Sequence, residues 1–216
     1  WYRTEFRVPA VDRGRHFQVI FKGINYRAAV WVNGSQVADS AGMAGMFAQY
    51  SLDVTRHIKP GESNALAVLI YPLDYPGTPS DEQLKAFDDF YPNGGPTGDI
   101  GKNVTMLCSV GWDWVPPVRD RNIGIWLPVY LRTTGGVTFG NTKITTSFPG
   151  EQDTSVAKIS LGLTLFNHTG SNDMGKLTVK ISPANFRGRT VQFSRNVAVG
   201  ANATNTVELS PENTRE

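Results

Sequence analysis

Cysteine is nearly absent: the 216 residues contain one, Cys108. That excludes a disulfide framework and a cysteine-based zinc site, and a lone thiol in a strand context is expected to serve as a small core hydrophobe. Histidine is also sparse. His16, His57 and His168 stand apart, none with a second His or Cys at metal-ligand spacing, so each is read as a surface or turn residue. No Gly-x-Ser-x-Gly elbow and no phosphate-binding glycine loop occur, and "NGGPTGDIG" is not followed by a long helix. No cofactor is implied. Charge of one sign is lacking too. The net charge is +2, and "RVPAVDRGRHF" is basic but interrupted by an acid and Pro9, so a nucleic-acid partner is excluded. No apolar run approaches the roughly 18 residues of a membrane span, and no signal peptide is visible. The chain starts at Trp1 without Met and stops at "SPENTRE"; both ends read as cut from a longer protein.

What is present is β-structure. Hydrophobic residues make up 40% and charged residues 19% of the chain, a globular composition. A length of 216 residues allows one large domain or two ordinary ones, with a core that needs no staple. "WYRTEFRVP" alternates Tyr2, Thr4 and Phe6 against Arg3, Glu5 and Arg7, predicting a half-buried strand; "HFQVIFKGI" places Phe17, Val19 and Phe21 on one face. In "AAVWVNGSQVA", Asn33-Gly34 predicts a type I′ hairpin turn. "FAQYSLDVT" and "NALAVLIYPL" are further strands around a Pro-Gly turn, and "VTMLCSV" and "GIWLPVYLRTT" are strands again. Between them, residues 72–103 are rich in Pro, Gly and Asp and read as a long loop with one or two helical turns N-capped by Ser80.

Gly135-Gly136 marks the best boundary, dividing 1–134 from 135–216. Beyond it the aromatic content falls, and five strand-like runs follow at short spacing, as in an immunoglobulin-like sandwich. The segment is slightly short for that fold, so a strand is expected to be missing at its C-terminal end. Four Asn-x-Ser/Thr sequons, at Asn33, Asn103, Asn167 and Asn202, are of the kind that arises by chance in an Asn- and Thr-rich β protein.

One stretch is unlike the rest. "SVGWDWVPPVRDRNIGIW" carries three of the five tryptophans and two adjacent prolines, and Trp112 and Trp114 bracket Asp113. Indole faces stack on the apolar C–H faces of sugars, and a carboxylate between them accepts hydroxyl hydrogen bonds, the pairing a sugar subsite uses. The competing reading puts the two rings in a core, with Asp113 capping a turn. Pro116-Pro117 stiffens the segment under either reading. Arg119, Asp120 and Arg121 are read as structural. No other acid reads as buried among aromatics, and glycoside hydrolysis needs two facing carboxylates, so no catalytic pair is assigned.

"WYRTEF", "GINYRAAVWVNGSQVA", "LDVT", "PGESNALAVLIYP" and "SVGWDWVPPVRDRNIGIWLPVYL" occur in an order that resembles the N-terminal sugar-binding domain of family 2 glycoside hydrolases, in the branch of exo-β-D-glucosaminidases and mannosylglycoprotein endo-β-mannosidases. The resemblance covers residues 1 to about 134; the tail is similar in pattern only. It implies an all-β chain: a jelly-roll (galactose-binding-like) sandwich, then an immunoglobulin-like sandwich, then a (β/α)8 barrel holding a retaining pair of glutamates. In the family the acid/base Glu follows an Asn. No Asn-Glu dipeptide and no barrel pattern occur here, so the chain as it stands is expected not to hydrolyse anything. The resemblance makes Trp112 and Asp113 a loop that reaches over the barrel mouth to bind the non-reducing-end sugar, with Trp114 beside it or in the core beneath. The implied partners are a β-glycoside of glucosamine or mannose and the barrel of the same chain; the implied compartment is extracellular or periplasmic. A stand-alone carbohydrate-binding module and a structural β-sandwich pair are the alternatives.

Overall fold

A computed structural model describes residues 1–73, 103–109, 118, 121–150 and 152–210. These fold as two compact units, Trp1–Thr133 and Thr134–Glu216. Their regular structure is strand, apart from two 3₁₀ turns at Ala10–Asp12 and Leu107–Ser109. Among the described residues no helix is long and apolar enough to cross a membrane.

The first unit contains β1 (Tyr2–Arg7), β2 (His16–Phe21), β3 (Ile24–Asn25), β4 (Arg27–Val32), β5 (Ser35–Ala38), β6 (Tyr50–Asp53), β7 (Ser63–Tyr71), β8 (Gly124–Ile125) and β9 (Val129–Thr134). Three sheets result, ordered β1-β7-β4-β5, β6-β2-β9 and β3-β8. Each large sheet must bury one apolar face, and period-2 alternation supplies it. Phe17, Val19 and Phe21 of β2 join Ala28, Val30 and Val32 of β4 and Leu66 and Val68 of β7 in one core. Fully burying a side chain of the size of Phe21 stabilises by about 1.5–3 kcal/mol. The predicted hairpin forms: Asn33 and Gly34 have φ of 49° and 84°, both in the left-handed region a type I′ turn requires, and Val32 pairs with Ser35.

Buried asparagines tie this unit together. The Asn33 side-chain amide donates to the His57 carbonyl at 2.7 Å and to Asn64 Oδ1 at 2.8 Å, while its own Oδ1 accepts the Ala65 N–H at 2.8 Å. Asn64 is 1% exposed; it accepts the Lys59 N–H and donates to the Lys59 and Glu62 carbonyls. One amide pair thus satisfies the backbone of the 57–62 loop, which has no ladder of its own.

Several expectations need correction. Of the alternating residues of β1, only Phe6 is even partly buried, because among the described residues β1 is an edge strand paired with β7 alone. Residues 104–109 are not a strand. The Ser109 N–H and hydroxyl both donate to the Met106 carbonyl, closing a tight turn in place of a ladder. In that turn Ser109 is buried and Cys108 is exposed, so Cys108 is not a core hydrophobe. His16 is 5% exposed in β2 rather than on the surface, with Nε2 3.3 Å from Asp53 Oδ2. The Ser80 helical turn lies outside the described residues.

The second unit contains β10 (Val137–Ser147), β11 (Lys158–Asn167), β12 (Asp173–Ile181), β13 (Val191–Val199) and β14 (Thr204–Leu209). A three-stranded sheet, β10-β11-β14, faces a two-stranded one, β12-β13, across Leu163, Leu165, Leu177, Val199, Val207 and Leu209. This is an immunoglobulin-like arrangement in which the second strand is central to the first sheet. Asn167 is 3% exposed and its amide donates to the carbonyls of Ser171, Val199 and Gly200, holding the β11–β12 connection. With the side chains of Asn33 and Asn167 so engaged and Asn103 buried, Asn202 is the one sequon asparagine that is exposed.

Asp53 gives the first unit an acid limb. Partial burial raises its pKa, but the hydroxyl and N–H of Thr55 and the neighbouring His16 outweigh that and hold it below the usual carboxylate range. A depressed folded-state pKa contributes stability that is present above the unfolded value of about 3.9 and is lost as pH falls through the folded value. Thermal melts of Asp53→Asn and wild type are therefore expected to differ above about pH 4 and to converge toward pH 2. A difference independent of pH would show that the carboxylate charge is not what matters.

Candidate functional site

Trp112, Asp113 and Trp114, with Arg119 and Asp120, lie outside the described residues; the segments that root them do not. Ser109 and Val118 stand at the two ends of the 110–117 segment, and the Val118 N–H donates to the Ser109 carbonyl at 2.9 Å. Arg121 N–H then donates to the Val118 carbonyl at 2.9 Å, turning the chain back toward β8. Arg121 and Asn122 hold φ of 49° and 57°, a backbone conformation that costs a non-glycine residue and persists only where its surroundings impose it.

The surroundings that impose it come from β3 and from residue 103. Asn25 is fully buried; its amide donates to the Arg121 carbonyl at 2.6 Å and the Asn122 carbonyl at 3.1 Å. The neighbouring backbone is held in register, Ile24 opposite Ile125 and Asn25 opposite Gly124. Arg121 is itself buried, and its guanidinium donates to the Asn103 carbonyl at 3.4 Å. The structural role expected of Arg121 is thus met within the first unit. Asn25 was not singled out by sequence reasoning. It lies inside the "GINY" motif, but nothing in a sequence separates an asparagine that clamps a distant turn from one in an ordinary loop.

Beyond the root, an aromatic corner braces the same edge. The Trp126 indole N–H donates to the Met46 carbonyl at 3.0 Å, and its ring meets Phe47 edge-on at 6.2 Å. Gly23 lies against that indole: a Cβ there would sit 2.6 Å from Trp126 Nε1, so only glycine fits. The Met106 N–H donates to the Met46 sulfur at 3.0 Å, joining the 103–109 segment to the corner. Nearby, burial pushes the Tyr50 phenol up, and a hydrogen bond with the Ala44 backbone offsets part of that. The result is a pair of loop ends fixed by neutral amides, a guanidinium and carbonyls. Such a base can hold the intervening 110–117 segment by its ends.

With this geometry described, comparison with known proteins identifies the class. Residues 1–127 match the family described as glycosyl hydrolase 2 galactose-binding domain-like, and the chain belongs to that family. A mannosylglycoprotein endo-beta-mannosidase of Lilium longiflorum is 37% identical over 150 residues, 68% of this chain and 14% of its own length. An exo-beta-D-glucosaminidase of Streptomyces avermitilis is 30% identical over 216 residues, 99% of this chain and 19% of its own. Among solved structures, the exo-chitosanase of Amycolatopsis orientalis superposes with a TM-score of 0.65 at 23% identity, over 98% of this chain and 20% of that one. The chain therefore spans no more than about a fifth of the length of these relatives.

Replacing Asn25 by Ala removes the amide that donates to the Arg121 and Asn122 carbonyls. The buried bond to Arg121 dominates, so the loss is expected to be about 1–3 kcal/mol, read as a lower urea midpoint with unchanged m. Amide exchange in residues 121–125 should accelerate more than in β4. Gly23→Ala forces the Trp126 ring to move and is expected to cost about 1–3 kcal/mol, with a change in tryptophan fluorescence that Gly34→Ala does not produce.

Proposed function

We propose that residues 1–133 lend a sugar-subsite loop to a retaining family 2 glycoside hydrolase acting on the non-reducing end of β-linked glucosamine or mannose chains. Asp113 accepts hydrogen bonds from the hydroxyls of the terminal sugar, or pairs with its amine where the sugar is glucosamine. Trp112 and Trp114 present ring faces to its C–H bonds. The observation that supports this reading is the locked root of the loop. The Ser109–Val118 hydrogen bond and the Asn25 clamp preorganise a segment whose composition suits a sugar. The names of the relatives suggest glucosaminides and mannosides as substrates.

Bond cleavage belongs to a barrel outside these residues. In a retaining mechanism one carboxylate attacks the anomeric carbon while another protonates the leaving oxygen, about 5–5.5 Å away. The loop's contribution is positioning: a terminal sugar held at its far edge loses freedom before the reaction and is presented to those carboxylates in one orientation. Such an enzyme works on extracellular or periplasmic polysaccharide.

In the complete enzyme, Asp113→Ala is expected to lower kcat/KM by roughly 10- to 100-fold, the loss of about 1.5–3 kcal/mol for a charged hydrogen bond, with the melting temperature unchanged. Wild-type kinetics in that variant would remove the reading. Calorimetric titration of chitosan and mannan oligosaccharides into the 216-residue chain is expected to show binding no tighter than millimolar. Micromolar binding would instead make this a carbohydrate-binding module that works alone.

A further inference from the structure

The four Asn-x-Ser/Thr sequons meet different fates in the fold. Two of the asparagines already use the nitrogen that a glycan would occupy. The Asn33 amide donates to the His57 carbonyl and to Asn64 Oδ1, so both of its N–H bonds have partners. The Asn167 amide donates to the carbonyls of Ser171, Val199 and Gly200 from a side chain that is 3% exposed. Asn103 is 7% exposed. An N-linked sugar replaces one amide hydrogen and places a bulky ring beside the carboxamide. At Asn33 and Asn167 it would break a hydrogen bond that the fold needs, and at Asn103 and Asn167 it would need space that close-packed neighbours fill.

Asn202 differs on each count. It lies in the turn that joins β13 to β14, closed by the Ala203 N–H donating to the Gly200 carbonyl at 3.2 Å. The Asn202 N–H donates to the Thr169 carbonyl at 2.8 Å, the Asn167 N–H to the Ala203 carbonyl at 2.9 Å, and the Ala201 N–H to Asn172 Oδ1 at 3.0 Å. Those bonds clasp the β11–β12 and β13–β14 connections side by side and fix the Asn202 backbone. Its φ of 49° is a left-handed value that asparagine adopts more readily than most residues. Its side chain is exposed and, among the described residues, takes part in no hydrogen bond. Thr204, the third residue of the sequon, opens β14 opposite Phe166 and is exposed as well. We propose that Asn202 is the acceptor of an N-linked glycan, the one sequon of the four at which a glycan and the native fold are compatible. The donor is an oligosaccharide carried on a lipid pyrophosphate. The Asn202 amide nitrogen bonds to C1 of the first sugar, the bond from C1 to the pyrophosphate oxygen breaks, the lipid pyrophosphate leaves, and the nitrogen gives up one proton to base. The inference rests on the export reading and not on the sugar subsite, since no residue of the 112–114 stretch enters it.

Directing the complete polypeptide through the secretory pathway of a eukaryotic host tests it, with the secreted, folded fraction digested and its peptides weighed. Peptide N-glycosidase converts the acceptor asparagine to aspartate as it releases the glycan, and so marks the site. The expected result is a loss of one oligosaccharide on treatment and a single marked residue, Asn202. Asn202→Gly keeps the left-handed turn, which glycine adopts freely, so that variant is expected to be secreted and to melt as wild type with the oligosaccharide gone. Thr204→Ala should remove the glycan too, whereas Thr204→Ser should retain it. Secreted protein without a glycan on Asn202 would overturn the proposal. So would a glycan on Asn33, Asn103 or Asn167 in protein that melts as wild type, because those sites would then tolerate one. The sugar reading fails separately, through wild-type kinetics of Asp113→Ala.

Discussion

The contact between the Asn25 amide and the carbonyls of Arg121 and Asn122 ties β3 to the turn that precedes β8 in the first unit. Its strength lies in what it prevents. The amide donates to two carbonyls of a left-handed turn, and leaving a buried carbonyl such as that of Arg121 short of a donor costs more than forming the bond returns. The turn, the 109–118 closure and the β3–β8 pairing are therefore coupled: each requires the others to be in place. The same device recurs at Asn33 and Asn64 and, in the second unit, at Asn167. In each case a short side-chain amide substitutes for a missing backbone partner where the chain leaves a sheet.

Among the described residues the base is built of neutral amides, backbone carbonyls and the buried Arg121 guanidinium. Its hydrogen bonds fix the backbone at both ends of the 110–117 segment. Exposed Phe139 and Ile144 would be a liability on an isolated sandwich, since an uncovered apolar edge invites pairing with other chains.

The fold was legible wherever alternation was strong. Phe17, Val19 and Phe21 point to one core, Asn33-Gly34 makes its turn, and the five strands of the second unit lie close to where their patterns place them. Legibility failed where pattern and environment diverge. "VTMLCSV" has the composition of a strand, yet Met106 to Ser109 close a turn, because local hydrogen bonds from Ser109 compete with a ladder that has no partner there. His16 is polar by type but sits on a strand with buried residues on both faces, so its burial follows from its position in the sheet and not from its identity. For the candidate site, the unusual composition of Trp112, Asp113 and Trp114 was visible, while the residues that brace it, Asn25, Gly23 and Arg121, were not marked as a group.

The sequence alone determined the class: β-alternation with a single cysteine and no charge clusters, an aromatic–acidic stretch, and the ordered motifs of a glycoside hydrolase sugar-binding domain. Those are properties of neighbours along the chain, and period-2 patterning and turn chemistry act at that range. Tertiary structure decided which asparagines are buried clamps, why Gly23 must be glycine, and which side of the second sandwich is open. Each of these depends on residues about 100 positions apart or on sheet edges that never meet in sequence. Burial and hydrogen-bond satisfaction are set by what the folded chain brings alongside, and no local pattern encodes that.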